Sequence, residues 1–212
     1  MAELLMIEAI NDCFHTELAR DDSVMVMGED VGRSGGVFRA TAGLRERFGV
    51  DRCVDTPLAE AGILGTAVGL CMAGWRPICE MQYDVFAYPC LDQLITHVGR
   101  YHGRTGGGME FPLVVRMPYG GGVRAPEMHD DSPEAYYVHT PGIKVAIPST
   151  PAEASSASSS SGFRLRMSST SIDASSTSAS ATRSQSGTIA PYATSVTSFA
   201  SRASRALPSG TT

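Results

Sequence analysis

Three short apolar runs set the terms for this chain: VMVMGED at 24–30, RPICEMQ at 76–82 and PLVVRMP at 112–118. Each is strand-length, shows no polar face, and breaks off into a loop followed by a helical period. A strand that is apolar on both faces must be covered on both faces, and helices are what cover it. Ahead of the first run, Leu4, Leu5, Ile7, Ile10, Phe14 and Leu18 recur at close to helical spacing over 3–20, with acids on the other face. A further unit, Arg52 to Thr56, leads through Pro57 into AEAGILGTAVGLCMAG, and a proline suits a helix entrance. The pattern predicts further helices over about Asp84 to His102 and Ser132 to Val138, and a strand KVAIPS at 144–149. Strand, loop and helix in alternation imply an α/β fold, a doubly wound parallel sheet, with ligands gathered at the carboxyl ends of its strands. The loops to inspect are then GEDVGRSGG, TPLAE, MQYDVF and MPYGGGVRAPEMHDD.

The charge is unevenly spread. Of 17 basic and 22 acidic side chains, the stretch after Ala154 holds five Arg and only Asp173, which leaves the body at −9 and the tail at +4. An acidic body gains nothing from a phosphate backbone or an anionic lipid surface, so neither nucleic acid nor a membrane is expected as partner. No apolar run reaches the length of a bilayer span. Glu3 and Glu8 stand where a signal peptide would carry positive charge, so a cytoplasmic chain is expected. Five cysteines (13, 53, 71, 79, 90) without C-x-x-C spacing read as buried thiols rather than a zinc site or a disulfide framework.

Taken alone, the chemical motifs are ambiguous. GRSGG, RTGGG and YGGGV match neither phosphate-loop pattern, and a flexible loop is the favoured reading of each. Glu127-Met128-His129-Asp130-Asp131 could be solvated, run acid/base chemistry or bind a metal. Glu60, in the first turn of the small-residue helix, is either a cap favoured by the helix dipole or a carboxyl secluded by Leu58, Ile63 and Leu64, able to hold or share a proton. That helix carries Gly62, Gly65 and Gly69, each costing about 0.8–1.0 kcal/mol against alanine. Either another backbone, such as another subunit's, approaches closely there, or the face packs on the sheet.

Together the segments GEDVGRSGGVFRATAGL, DTPLAEAGILGTAVGLCMAG, ICEMQYDVFAYPCLDQL and MPYGGGVRAPEMHDDSPEAYYVHTPGIKVAIPSTP resemble the beta subunit of the thiamine-diphosphate-dependent decarboxylating component of 2-oxo acid dehydrogenase complexes. The resemblance runs from about Leu4 to Ala154, and it implies a thiamine-diphosphate-binding fold with a pyrimidine-binding domain over 1–154. It implies that Glu60 shares a proton with the cofactor's pyrimidine ring nitrogen, which lets the aminopyrimidine act as base. It places Phe86 in a stack on the pyrimidine, Leu58 beside the same ring, Glu29 in support of Glu60, and His129 in the handling of intermediates and acyl transfer to a lipoyl arm. The G-D-G segment with its following Asn pair, which holds magnesium and the diphosphate in thiamine enzymes, is not in this sequence. The family assigns that half to an alpha subunit, so thiamine diphosphate would be shared with an alpha-subunit partner in a heterotetramer, magnesium would be held by that partner, and a lipoyl-bearing acyltransferase would receive the acyl group. No metal ligand is expected in this chain. Transketolase and related synthases carry both cofactor halves on one chain and fit less well. Branched-chain 2-oxo acids are the first expected substrates, pyruvate the second and acetoin a distant third.

The resemblance stops at Ala154. From 155 to 212, Ser, Ala and Thr make up about two thirds of the residues, a composition too poor in large apolar side chains to bury a core. A low-complexity, disordered tail without helical or strand-like period is expected there, where family members continue with a leucine-rich helix, a strand and a dimerising second domain. The tail is either an evolved linker or, the favoured reading, a shifted frame: CTC leucine codons read one base out give TCC serine. The domain would then be incomplete at its C-terminal end with a sheet edge open, the family's potassium site would be incomplete, and an inactive remnant that at most binds an alpha subunit is the alternative to an enzyme subunit.

Overall fold

The computed structural model of the 212-residue chain describes residues 4–119, 127, 129, 131–148, 150–158 and 193–199. Helix α1, Met6–Arg20, opens the fold; Ile10, Phe14 and Leu18 are buried on one face, and the Glu8 carboxylate accepts from the Leu5 amide at 2.8 Å to cap its start. Its C-terminal end is tied down by Arg52, whose Nη2 donates to the carbonyls of Leu18 (2.8 Å), Asp21 (2.7 Å) and Val24 (2.7 Å).

Strand β1, Val24–Gly28, is buried along its whole length, as its unbroken apolar sequence requires. A long turn-rich loop leads to α2, Leu44–Phe48, a short helix that the sequence pattern gives no sign of. Strand β2, Cys53–Asp55, follows, then α3, Glu60–Met72, and β3, Arg76–Glu80. The expected helix from Asp84 to His102 is present as helical backbone but is divided: a 3-10 helix, Val85–Cys90, a π-helical stretch, Gln93–Gly99, and a single α-turn, α4, Tyr101–Arg104. Pro89 supplies the reason for the first break, because it has no N–H to give to a regular α ladder. Strand β4, Leu113–Tyr119, α5, Glu134–Val138, β5, Lys144–Ala146, and α6, Pro151–Ser158, complete the body.

The sheet runs β2-β1-β3-β4-β6-β5, where β6 is Ala193–Phe199. Strands β1 to β4 are parallel, with Gly28 level with Asp55 and Glu80, and Glu80 level with Arg116. Core side chains alternate across them. Val24, Val26, Ile78 and Val114 face α1 together with Ala154, whereas Met27, Cys79, Val115 and Met117 face α3 and the 3-10 and π segments. This is the two-sided cover that the apolar runs demand.

Beyond residue 154 two elements depart from the expected lack of regular structure. Helix α6 continues to Ser158, and Ala193–Phe199 enters the sheet antiparallel to both β4 and β5, from Leu113 opposite Phe199 to Tyr119 opposite Ala193. Strand β6 thus fills the place beside β4, and β5 is left as the edge strand on that side of the sheet. Strand β4 presents seven residues of backbone donors and acceptors on that side, and buried backbone groups must find partners. The segment ATSVTSF carries neither proline nor charge and includes Val, Thr and Phe, which suit a strand.

All five cysteines are buried thiols. Burial pushes those of Cys53, Cys71 and Cys90 up to about 12 and that of Cys79 well above its usual value, so they stay protonated. Among the described residues no helix is long and apolar enough to cross a membrane.

Candidate functional site

The carboxyl ends of the parallel strands β1 to β4 lie at one end of the sheet, and each expected site residue follows one of them in the chain. Glu29 directly follows β1. Glu60 is the first residue of α3, after the β2 loop. Phe86 belongs to the 3-10 helix after β3, and His129 to the segment after β4.

Glu60 is 9% exposed and Glu29 8%. Seclusion is what the structure gives Glu60: its side chain is buried at the start of α3, whose inner face packs Ile63, Leu64, Ala67 and Cys71 on the core. The two carboxyls interact. Burial holds the Glu29 carboxyl above the usual carboxylate range, and the neighbouring charges of Glu60 and Asp30 push it the same way. Glu60 also lies near enough to Cys90, at the end of the 3-10 helix, to raise its thiol, though burial is the larger cause.

An aromatic cluster forms the second part of the site. His129 lies edge-on to Tyr83, with ring centroids 4.5 Å apart and planes at 72°, and edge-on to Phe86 at 5.2 Å and 81°. Tyr83 and Phe86 meet at 5.8 Å, and Phe38, from the loop after β1, closes on Tyr83 at 5.6 Å. The His129 Nδ1 lies 2.6 Å from the Glu127 carbonyl, which can only accept, so Nδ1 carries the hydrogen and the neutral ring offers Nε2 as its acceptor. Tyr83 and Phe38 are not evident from spacing. Tyr83 stands three residues before Phe86, a helical-neighbour offset that could have marked it; Phe38 has no such signal. Leu58 is 79% exposed in the loop before α3.

Asp84, next to Tyr83 in the chain, is fully buried, with neither carboxyl oxygen bonded to a described residue. Its carboxyl is raised to about 6, chiefly by burial; nearby backbone amides of Val85 and Asp84 oppose the shift, and the charges of Asp131 and Glu134 add to it. On the α1 side of the sheet, Arg116 pairs with Glu80 in full burial, while Glu80 Oε2 and Arg116 Nε have no partner among the described residues. Burial raises the Glu80 carboxyl and the guanidinium pulls it back.

The GRSGG loop is no phosphate cradle. Its amides at Gly32 and Arg33 donate to the Asp55 carboxylate at 2.6 and 3.1 Å, and Arg45 pairs with the same group at 2.6 Å. RTGGG forms turns after α4, and YGGGV lies beyond the described residues except for Tyr119. Among the described residues no His, Cys, Asp and Glu group of three or more could hold a metal. Gly62, Gly65 and Gly69 are exposed on the outer face of α3, not packed on the sheet, and a Cβ at Gly65 or Gly69 would meet open space.

Residues 2–161 match the family model of the transketolase pyrimidine-binding domain. Over 151 residues the chain is 51% identical to the 3-methyl-2-oxobutanoate dehydrogenase subunit beta of Mycobacterium tuberculosis, covering 71% of this chain and 43% of that protein. Over 154 residues it is 51% identical to the pyruvate dehydrogenase E1 component subunit beta of Bacillus subtilis, covering 73% and 47%. The corresponding subunit of Leifsonia xyli is 48% identical over 151 residues, covering 71% and 45%. The chain thus spans less than half the length of the curated relatives it matches.

Proposed function

Since this chain belongs to the transketolase pyrimidine-binding domain family, we propose that it acts as the beta subunit of a thiamine-diphosphate-dependent 2-oxo acid dehydrogenase, decarboxylating a 2-oxo acid and passing the acyl group to lipoamide. The observation that carries this reading is the buried Glu29–Glu60 pair at the carboxyl end of a parallel sheet, whose neighbouring strands lead into the segments that carry the paired Phe86 and His129 rings.

These residues fit one half of the cofactor. A secluded carboxyl can hydrogen-bond a ring nitrogen, and an aromatic face can stack on a pyrimidine; Glu60 and Phe86 are proposed for those roles, with Leu58 beside the ring. They do not fit the diphosphate, because the side chains gathered at this end of the sheet, Glu29, Asp30 and Glu60, are carboxyls and offer an anion no positive charge. The diphosphate and its magnesium are accordingly proposed to be held by an alpha subunit, in a heterotetramer, and the family's potassium site to be incomplete here. When bound, thiamine diphosphate supplies a carbon nucleophile and an electron sink for decarboxylation.

This chain's own residues hold and move protons around it. Glu29 keeps its proton more readily than an ordinary carboxylate and so relieves repulsion at Glu60. Glu60 would then be free to hold the pyrimidine nitrogen. His129, with Nδ1 fixed by the Glu127 carbonyl, presents Nε2 to take or give a proton as the acyl group leaves for the lipoyl arm. The proposed site of action is the cytoplasm, and the acyl acceptor a lipoyl-bearing acyltransferase.

Branched-chain 2-oxo acids are proposed ahead of pyruvate; relatives of both kinds share 51% identity with this chain. Co-expression with an alpha subunit tests the proposal. Co-elution with it, and cofactor-dependent decarboxylation favouring branched-chain acids over pyruvate, are expected. Failure of the two chains to associate would leave the inactive remnant as the better reading.

A further inference from the structure

His129 is bound to the body of the protein not only through its ring. Two residues further on, Asp131 Oδ2 accepts a hydrogen bond from the Tyr88 hydroxyl at 3.0 Å. Tyr88 sits on the 3-10 helix that carries Phe86. One helix therefore touches the histidine segment twice, through a ring edge at His129 and through a hydroxyl at Asp131. Tyr88 is itself braced, its ring meeting that of Tyr136 on α5 edge-on at 6.0 Å. Desolvation, with the Asp131 bond and charge, pushes the Tyr88 phenol up to about 12, so it remains a donor across the working pH range. An O–H bond to a carboxylate is among the stronger and more directional hydrogen bonds.

We propose that Tyr88 and Asp131 are positioning residues for His129: their hydrogen bond fixes the histidine segment to the Phe86 helix and so sets the imidazole edge-on to Tyr83 and Phe86. The two anchors lie on either side of the imidazole along the chain, the Glu127 carbonyl at Nδ1 and the Tyr88 bond at Asp131. With both in place the ring has a fixed direction for Nε2. Without the second, the segment pivots about Glu127 and the ring leaves its aromatic neighbours. The inference rests on His129 being the working histidine of the proposed function, but the imidazole geometry is measurable whether or not an assembled enzyme turns over.

The test is NMR of the full chain with isotopically labelled histidine, the His129 signals being those missing in His129→Gln. In the unmodified chain they are expected to be displaced by the Tyr83 and Phe86 ring currents. Tyr88→Phe and Asp131→Ala should both lose that displacement, while Asp131→Asn, which keeps an acceptor, should retain most of it. His129 signals that stay put in both Tyr88→Phe and Asp131→Ala would overturn the proposal. Should Tyr88→Phe unfold, shown by collapse of the other four histidines, Asp131→Ala decides, because that side chain is exposed. A failed turnover assay with normal His129 signals would count against the proposed function and not against this inference.

Discussion

Gly99 and Gly142 meet backbone to backbone: a Cβ built on Gly142 would stand 2.0 Å from the Gly99 carbonyl oxygen, and Gly142 holds φ at +89°. This contact joins the end of the π-helical stretch to the turn before β5, and no other residue type fits it. Gly142→Ala should therefore cost about 2–4 kcal/mol of stability, from the clash and the left-handed backbone together. Urea denaturation measures it; a cost under about 0.5 kcal/mol would mean that the turn moves aside freely.

Asp84 gives a pH dependence with a definite sign. Its folded carboxyl titrates at about 6 against 3.8 when unfolded, so the folded state binds more protons between those values. Stability from this group is full below about pH 3.8 and is lost as pH rises through 6. Asp131, Glu134, Tyr88 and Tyr137 face it, and none is a cation that would reverse the sign. Asp84→Asn should raise stability at pH 7 by about 2–3 kcal/mol and remove that part of the slope. Denaturation midpoints of both proteins from pH 4 to 8 check it; parallel curves would contradict it.

The Glu80–Arg116 pair is buried on both sides, so removing one partner strands the other. Arg116→Ala should cost about 3–5 kcal/mol, and Glu80→Gln less, because glutamine leaves no buried charge of its own. Thermal or urea unfolding of the two variants compares them. Equal small losses would show that water reaches the pair.

The parts of the fold legible in the sequence are those where one physical requirement acts alone. Strands β1, β3 and β4 are buried on both faces, so their apolar runs cannot be hidden, and the loops at their carboxyl ends follow from them. Glu60 is ambiguous in the sequence because a helix cap and a secluded acid share the same position; only burial separates them, at 9% exposure. The 3-10 segment is hidden in the sequence because Pro89 breaks the regular helix without altering its apolar spacing. Phe38 reaches Tyr83 across 45 residues of sequence, and no local pattern records such a pairing. Strand β6 was illegible for a different reason: its partners' unpaired backbone, rather than its own side-chain pattern, accounts for its place.

Glu60 is proposed to activate thiamine diphosphate in a site shared with an alpha subunit. Decarboxylation by the co-expressed pair, with Glu60→Gln measured beside the unmodified chain, tests it most directly. Cofactor-dependent turnover that falls at least about 100-fold in Glu60→Gln, while the two chains still associate, is the expected result. Undiminished turnover in an assembled Glu60→Gln complex would contradict it.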